Sequence, residues 1–143
     1  MSSKRILGVD YGDARTGLAV SDPTGLLAGG IGVIRSGYDR GCAKEIVQAA
    51  EQYDVCRIVI GKPLNMNGTA GPRAQKVDAL IEILREMTQL PIDTFDERLT
   101  TVAAHLYLSE SNIKSKKRKK VVDALSAQII LQNYLDARKS RGE

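Results

Sequence analysis

Six residues, Gly12-Asp13-Ala14-Arg15-Thr16-Gly17, separate two short apolar runs, Ile6 to Tyr11 and Leu18 to Ser21. Parallel neighbours need a crossover of a dozen or more residues, so a gap this short, with turn composition, predicts an antiparallel hairpin. A third strand fits within Leu26 to Arg35, where Gly29, Gly30 and Gly32 weaken it or mark bulges. The chain is therefore expected to open with three antiparallel strands.

The pattern then changes period. Ala43, Ile46, Val47, Ala50 and Tyr53 make one face of an amphipathic helix, and Val55 to Ile60 is a β-branched strand ended by Gly61-Lys62-Pro63. After the loop from Pro63 to Pro72, Val77, Leu80, Ile81, Leu84 and Met87 form a second helical stripe, and Pro91 precedes a short strand from Ile92 to Phe95. Thr100 or Thr101 can cap a helix carrying Val102, Ala103 and Leu106, and Val121 to Ala137 reads as a last, broadly apolar helix. Between these two helices lies a basic run. The expected class is α/β, a mixed five-stranded sheet flanked by helices.

At 143 residues, with 43% hydrophobic and 27% charged side chains, the chain has the size and composition of one globular domain, expected over residues 1–143. No apolar run approaches the ~20 residues of a membrane span. The start, Met1-Ser2-Ser3-Lys4-Arg5 followed by Ile6 to Val9 and then Asp10, lacks the form of an export signal, so a soluble cytoplasmic protein without a membrane partner is expected. Two cysteines, Cys42 and Cys56, supply neither a disulfide framework nor a zinc site, in keeping with a reducing compartment. Of the formal charge of +4, Lys114, Lys116, Lys117, Arg118, Lys119 and Lys120 carry six positives, and without them the chain would be −2. One basic patch facing an acidic partner is expected, not a protein basic all over.

Carboxylates stand out where they meet apolar surroundings, since burial there demands a partner. Asp10 ends the first strand, Asp96 and Glu97 end the strand after Phe95, and Asp123 lies in Val121-Val122-Asp123-Ala124-Leu125. Singly, each has an ordinary reading, Asp10 as a turn residue and Asp123 as an acid favoured by a helix dipole. Together, if the strands are close in one sheet, they converge at one edge. Carboxylates clustered without histidine are what Mg²⁺ or Mn²⁺ requires.

In order along the chain come Gly8-Val9-Asp10-Tyr11-Gly12, Gly17-Leu18-Ala19-Val20-Ser21-Asp22, Gly61-Lys62-Pro63, Asp96-Glu97-Arg98-Leu99-Thr100-Thr101 and Asp123-Ala124-Leu125-Ser126-Ala127. This ordered set, spanning Arg5 to about Leu135, resembles the YqgF/RuvX family within the RNase H-like superfamily. The resemblance implies three antiparallel strands extended by two parallel ones, with a metal-dependent nuclease site at the sheet centre. By motif, Asp10 matches the first-strand acid, the Asp96-Glu97 pair the second acidic position and Asp123 the last-helix acid. Glu97 is preferred over Asp96 as the metal ligand. Adjacent strand residues point to opposite faces, so one of them reaches the metal more easily, though the strand end is too irregular for alternation alone to settle which. Ser126 stands where the family more often has alanine, a small-for-small change.

The implied chemistry is a two-metal hydrolysis of phosphodiesters, with ions about 3.5–4 Å apart bridged by Asp10 and no protein nucleophile. Arg15 and Arg98 are candidate phosphate contacts, with a surface ion pair as the alternative, and Thr100 or Thr101 candidate hydroxyl donors. The loop from Pro63 to Pro72, beside Arg73, either offers backbone N–H groups to a nucleic acid or simply connects two elements. If Ser115 caps the last helix, Lys116, Lys117, Lys119 and Lys120 sit against the helix dipole, a placement that an anionic ligand explains better than folding does. His105, the sole histidine, is assigned no role.

The expected partner is therefore a nucleic acid, structured RNA or branched DNA, engaged by a monomer or a homodimer. The resemblance offers 5′-end processing of precursor 16S ribosomal RNA, the favoured reading, and resolution of four-way DNA (Holliday) junctions in recombination. A non-catalytic nucleic-acid or transcription-complex binder is the alternative of another class. An actin-like or sugar-kinase ATPase would need two such domains. A phosphate-loop NTPase fails because Pro63 follows Gly61-Lys62 and Cys56 stands where its first glycine belongs.

Overall fold

The computed structural model describes residues 4–35, 40–99 and 115–142, and only the backbone of 115–123. Strands β1 (Ile6–Asp10), β2 (Thr16–Ser21) and β3 (Ala28–Ile34) are followed by helix α1 (Arg40–Gln52), β4 (Arg57–Lys62), α2 (Pro72–Met87) and β5 (Ile92–Asp96). A single 3-10 turn, Glu97–Leu99, follows β5, and helix α3 (Ser115–Ser140) closes the described chain. The sheet order is β3-β2-β1-β4-β5, antiparallel across β3, β2 and β1 and parallel across β1, β4 and β5. This is the mixed five-stranded sheet expected, and β1 is its central strand. The glycines of β3 do mark an irregularity: Leu18 pairs Gly32 and Ala19 pairs Gly30, so Ile31 is the extra residue of a bulge.

Each sheet face is covered separately. Leu7, Val9, Ile58 and Ile60 pack against Ile46 of α1 and Leu80 and Leu84 of α2, whereas Ile6, Ala19, Val59 and Phe95 pack against Ala127, Ile130 and Leu131 of α3. Alternation along β1 thus puts Ile6, Gly8 and Asp10 on the α3 face. That face is close-packed. A Cβ on Gly8 would stand 2.7 Å from Leu131 Cβ and 3.2 Å from the Ala127 carbonyl oxygen, so only glycine lets α3 sit this near the central strand.

Several boundaries differ from the sequence expectation: β2 starts at Thr16 and not Leu18, β4 runs on through Gly61 to Lys62, and the last helix continues to Ser140. The strand expected from Val55 starts at Arg57, because Asp54, at φ 51°, turns the chain after α1 and the Val55 N–H still donates to Ala50 O. The last helix starts at Ser115, the alternative cap position, and not at Val121, so Lys116 to Lys120 occupy its first turns. The helix expected around Val102 to Leu106, with Thr100, Thr101, His105 and Lys114, lies outside the described residues.

Candidate active site

Asp10 closes β1 and is half-buried, and the turn beyond it is built to fixed dimensions. Thr16, fully buried at the start of β2, accepts hydrogen bonds through Oγ1 from the Gly12 N–H and from the Cys42 thiol, at 3.4 Å each. A Cβ on Gly12 would lie 2.3 Å from the Arg15 carbonyl oxygen, so the chain can fold back this tightly only there. Opposite Asp10, Gly17 holds the antiparallel register. Hairpin and α1 together therefore fix where the Asp10 carboxylate begins.

On the parallel side Val9 pairs with Ile60, so Gly61 is the next position level with Asp10, one strand spacing away, about 4.8 Å. The Glu97 side chain fills the space over Gly61. A Cβ there would stand 3.2 Å from Glu97 Cδ, 3.3 Å from its Cγ and 2.5 Å from Ile130 Cδ1 of α3. The Glu97 carboxyl is thus on the α3 face, over the β4 residue that is level with Asp10. Burial pushes the Glu97 carboxyl above its ordinary 4.5, an effect that the Arg73 guanidinium opposes and the Asp96 charge adds to.

Asp96 takes the opposite course. It pairs across to Lys62, on the α2 side, where Lys62 Nζ is 2.9 Å from Asp78 Oδ1. Arg98 grips its carboxylate: Nε donates at 3.0 Å to both oxygens, Nη2 to Oδ2 at 2.7 Å, and the Arg98 N–H to Oδ1 at 3.0 Å. The hydrogen bonds from Arg98 hold this carboxyl below its ordinary 3.8. Two adjacent carboxylates thus lie in contrasting environments, one partly desolvated over Gly61, the other neutralised by a guanidinium.

Arg98 also donates through Nη1 to Met66 O at 3.2 Å, so it ties the end of β5 to the loop after β4. That loop is internally closed: the Asn65 N–H donates to Thr69 O, the Gly68 N–H to Asn65 O and the Thr69 N–H to Asn67 Oδ1. The N–H groups that could have faced a nucleic-acid backbone at 65, 68 and 69 are therefore engaged within the loop. Arg15 is half-buried at the end of the β1–β2 turn, and Arg73, exposed in the first turn of α2, is the cation that acts on Glu97.

Helix α3 runs antiparallel to β1. Leu135 shares a cleft with Ile6, Leu131 lies over Gly8, and Ile130 lies over Gly61, which is level with Asp10. The turn that precedes Ala127 is consequently at the Asp10 end of the sheet, and Asp123 belongs to it. Its side chain, like those of Lys116, Lys117, Lys119 and Lys120, lies outside the described residues, as does Thr100. Sequence reasoning passed over Gly61 as a strand terminator. Its signal was available, since a glycine inside a β-branched run indicates close approach from another element.

Among the described residues no three His, Cys, Asp or Glu side chains gather as a metal cluster. Asp10 and Glu97 are two of the three expected ligands, and their donors fit a hard divalent cation: oxygen only, with one carboxyl raised by a desolvation that a cation would offset.

A family model described as RuvX, Holliday junction resolvase, matches residues 4–137. The chain is 47% identical over 135 residues to a protein of Ruminiclostridium cellulolyticum named "Putative pre-16S rRNA nuclease", covering 92% of this chain and 94% of that one. It is 47% identical over 133 residues to a protein of the same name from Desulforamulus reducens, covering 93% and 97%. Among solved structures it resembles Thermus thermophilus RuvC in complex with a Holliday junction (TM-score 0.61, 12% identity, 94% and 95% covered). It also resembles the fowlpox virus Holliday junction resolvase (TM-score 0.56, 15% identity, 94% and 99% covered). At these identities the structural likeness speaks to the RNase H-like fold.

Proposed function

The chain belongs to the RuvX family, and from that premise we propose that it is a divalent-metal-dependent endonuclease that trims the 5′ end of precursor 16S ribosomal RNA in the cytoplasm. The observation that carries the catalytic part is the Glu97 carboxyl folded over Gly61, one strand from Asp10. The names of relatives 47% identical over nearly their whole length support the substrate.

In this reading Asp10, Glu97 and Asp123 hold the metal. Bound there, Mg²⁺ or Mn²⁺ supplies an activated water and charge for an in-line displacement at phosphorus. The protein contributes placement. Asp10 is fixed by a hairpin that cannot widen at Gly12, and Glu97 is held in its ionisable position by the packing of Ile130 and the absence of a side chain at Gly61. Asp96, committed to Arg98, keeps the loop after β4 against the site and leaves the metal to its neighbour. Lys116, Lys117, Lys119 and Lys120, in the first turns of the helix that carries Asp123, meet the substrate's phosphates. Arg15 and Thr100 are the further contacts proposed, and Arg98 contributes to them only as far as its pairing with Asp96 allows.

Resolution of four-way DNA junctions is the second reading, favoured by the description of the matching family. Cleavage of a 5′-extended precursor 16S RNA and a four-way junction, side by side in Mg²⁺, separates them. Preferential cutting of the RNA supports the first. Preferential, paired cutting of the junction moves the function to the second, and no cutting of either removes the nuclease reading.

A further inference from the structure

Away from the carboxylates, at the end of the sheet where β1 and β4 begin, a cleft of about 460 Å³ opens between the β2–β3 turn and the last turns of α3. Four of its ten lining residues are cations, Lys4, Arg57, Arg138 and Lys139, and none is acidic. They come from three separate parts of the chain. Two are held in place: Arg57 Nη1 is 2.7 Å from Asp93 Oδ2, and the Arg138 guanidinium lies 5.6 Å from the Tyr134 ring centroid. Lys4 and Lys139 are exposed at the rim, and Arg141 lines the recess next to it, where Asp93 and Asp96 are already paired with Arg57 and Arg98.

The dipole of α3 favours cations at its C-terminus and accounts for Arg138 and Lys139. It does not account for Lys4, which precedes β1, or for Arg57, the first residue of β4 and paired with Asp93, and both converge on the same cleft. Between the two ends of α3 the helix is neutral. Residues 124–135 carry no charged side chain, and Gln128, Gln132 and Asn133 are among those left partly exposed. One helix therefore has cations at both ends and an uncharged middle.

We propose that this cleft is a second nucleic-acid contact, gripping the phosphate backbone of the strand that is cut at the other end of the sheet. The inference rests on the nuclease reading for the identity of its ligand. Lys120 and Arg138 are 18 positions apart in the helix, a rise of roughly 27 Å, the length of about eight stacked nucleotides of one strand. The substrate thus lies along α3, and a strand too short to reach the cleft loses this part of its affinity.

The test measures binding in EDTA, where nothing is cut, using a tetranucleotide and an RNA strand of about 20 nucleotides at several salt concentrations. For Lys4→Gln/Lys139→Gln/Arg141→Gln the expected result is roughly tenfold or greater weakening for the long strand. The log affinity against log salt should flatten by about two units for it, and the tetranucleotide should be held as before. A matching control, Lys44→Gln/Lys76→Gln/Arg85→Gln on α1 and α2, should change neither. Equal loss in control and variant, or an unchanged salt slope with unchanged affinity, overturns the second contact while wild-type cleavage in Mg²⁺ leaves the nuclease reading standing. A wild-type protein that neither binds nor cuts overturns both.

Discussion

Glu97 occupies the volume that a side chain at Gly61 would need: its carboxyl carbon lies 3.2 Å from the position of a Gly61 Cβ. Because Gly61 is the parallel-strand neighbour level with Asp10, the missing side chain there is what lets the carboxylate just past β5 lie over β4 at the level of Asp10.

Gly61→Ala should therefore separate fold from function. The new methyl meets Ile130 Cδ1, the far end of a flexible side chain, and the Glu97 carboxyl, so the first can swing away and the second is displaced. Cleavage should fall by about 10- to 100-fold, the cost of misplacing a reacting group by an ångström or so, with melting nearly unchanged. Gly8→Ala should do the reverse in emphasis. Its methyl meets Leu131 Cβ and the Ala127 carbonyl of α3, backbone that cannot step aside, and overpacking of this kind costs about 1–3 kcal/mol. Thermal melting of the two variants, with cleavage measured alongside, checks both.

The neighbours Asp96 and Glu97 should have opposite pH signatures in the absence of metal. The Glu97 carboxyl is raised in the folded state, so its charge destabilises the fold at pH above that raised value and not below the unfolded value near 4.5. Glu97→Gln should consequently melt above wild type at pH 7 in EDTA, by about 2–4 °C if the difference is near 1 kcal/mol, with the gap closing on acidification and in Mg²⁺. Asp96 is lowered, so its pairing with Arg98 contributes stability above the unfolded value near 3.8 that is lost as pH falls through the folded one. Asp96→Asn should melt below wild type at pH 7 and converge with it in acid. The same sign for both variants would undo the contrast in environments, and a greater loss of cleavage in Asp96→Asn than in Glu97→Gln would exchange their roles.

Replacing Lys116, Lys117, Lys119 and Lys120 with Gln should weaken binding alike across nucleic-acid sequences and flatten the salt slope by roughly two to four units, at about 0.7 to 0.9 per phosphate contact. Folding should be unharmed or slightly improved, since these cations stand in the first turns of α3 against its dipole. Fluorescence anisotropy against salt, with melting curves, measures both. An unchanged slope with unchanged affinity would make the run a solvated helix end.

Much of this architecture was legible in the sequence for simple reasons. The six-residue gap after Tyr11 excludes a crossover, and Gly29, Gly30 and Gly32 announce the irregular pairing found between Leu18 and Ala19. The start of α3 was half legible: Lys116 to Lys120 offer no apolar periodicity, so the pattern reads as helix only from Val121, and Ser115 as a possible cap was the one signal of the earlier start. The choice between Asp96 and Glu97 was hidden differently. Strand alternation ends where the 3-10 turn begins, and what distinguishes them is a non-local vacancy at Gly61 and a guanidinium two residues on. Neither is visible in local pattern.

The most direct measurement is Mg²⁺-dependent cleavage of precursor 16S RNA by Asp10→Asn, with binding followed in parallel. The substitution keeps size and removes charge at the end of the central strand. Cleavage should fall to background, by at least 100-fold, while affinity for the uncut RNA and the melting cooperativity are retained. Wild-type cleavage by Asp10→Asn would contradict the account, because the carboxylate at the sheet centre would then hold no metal for the reaction.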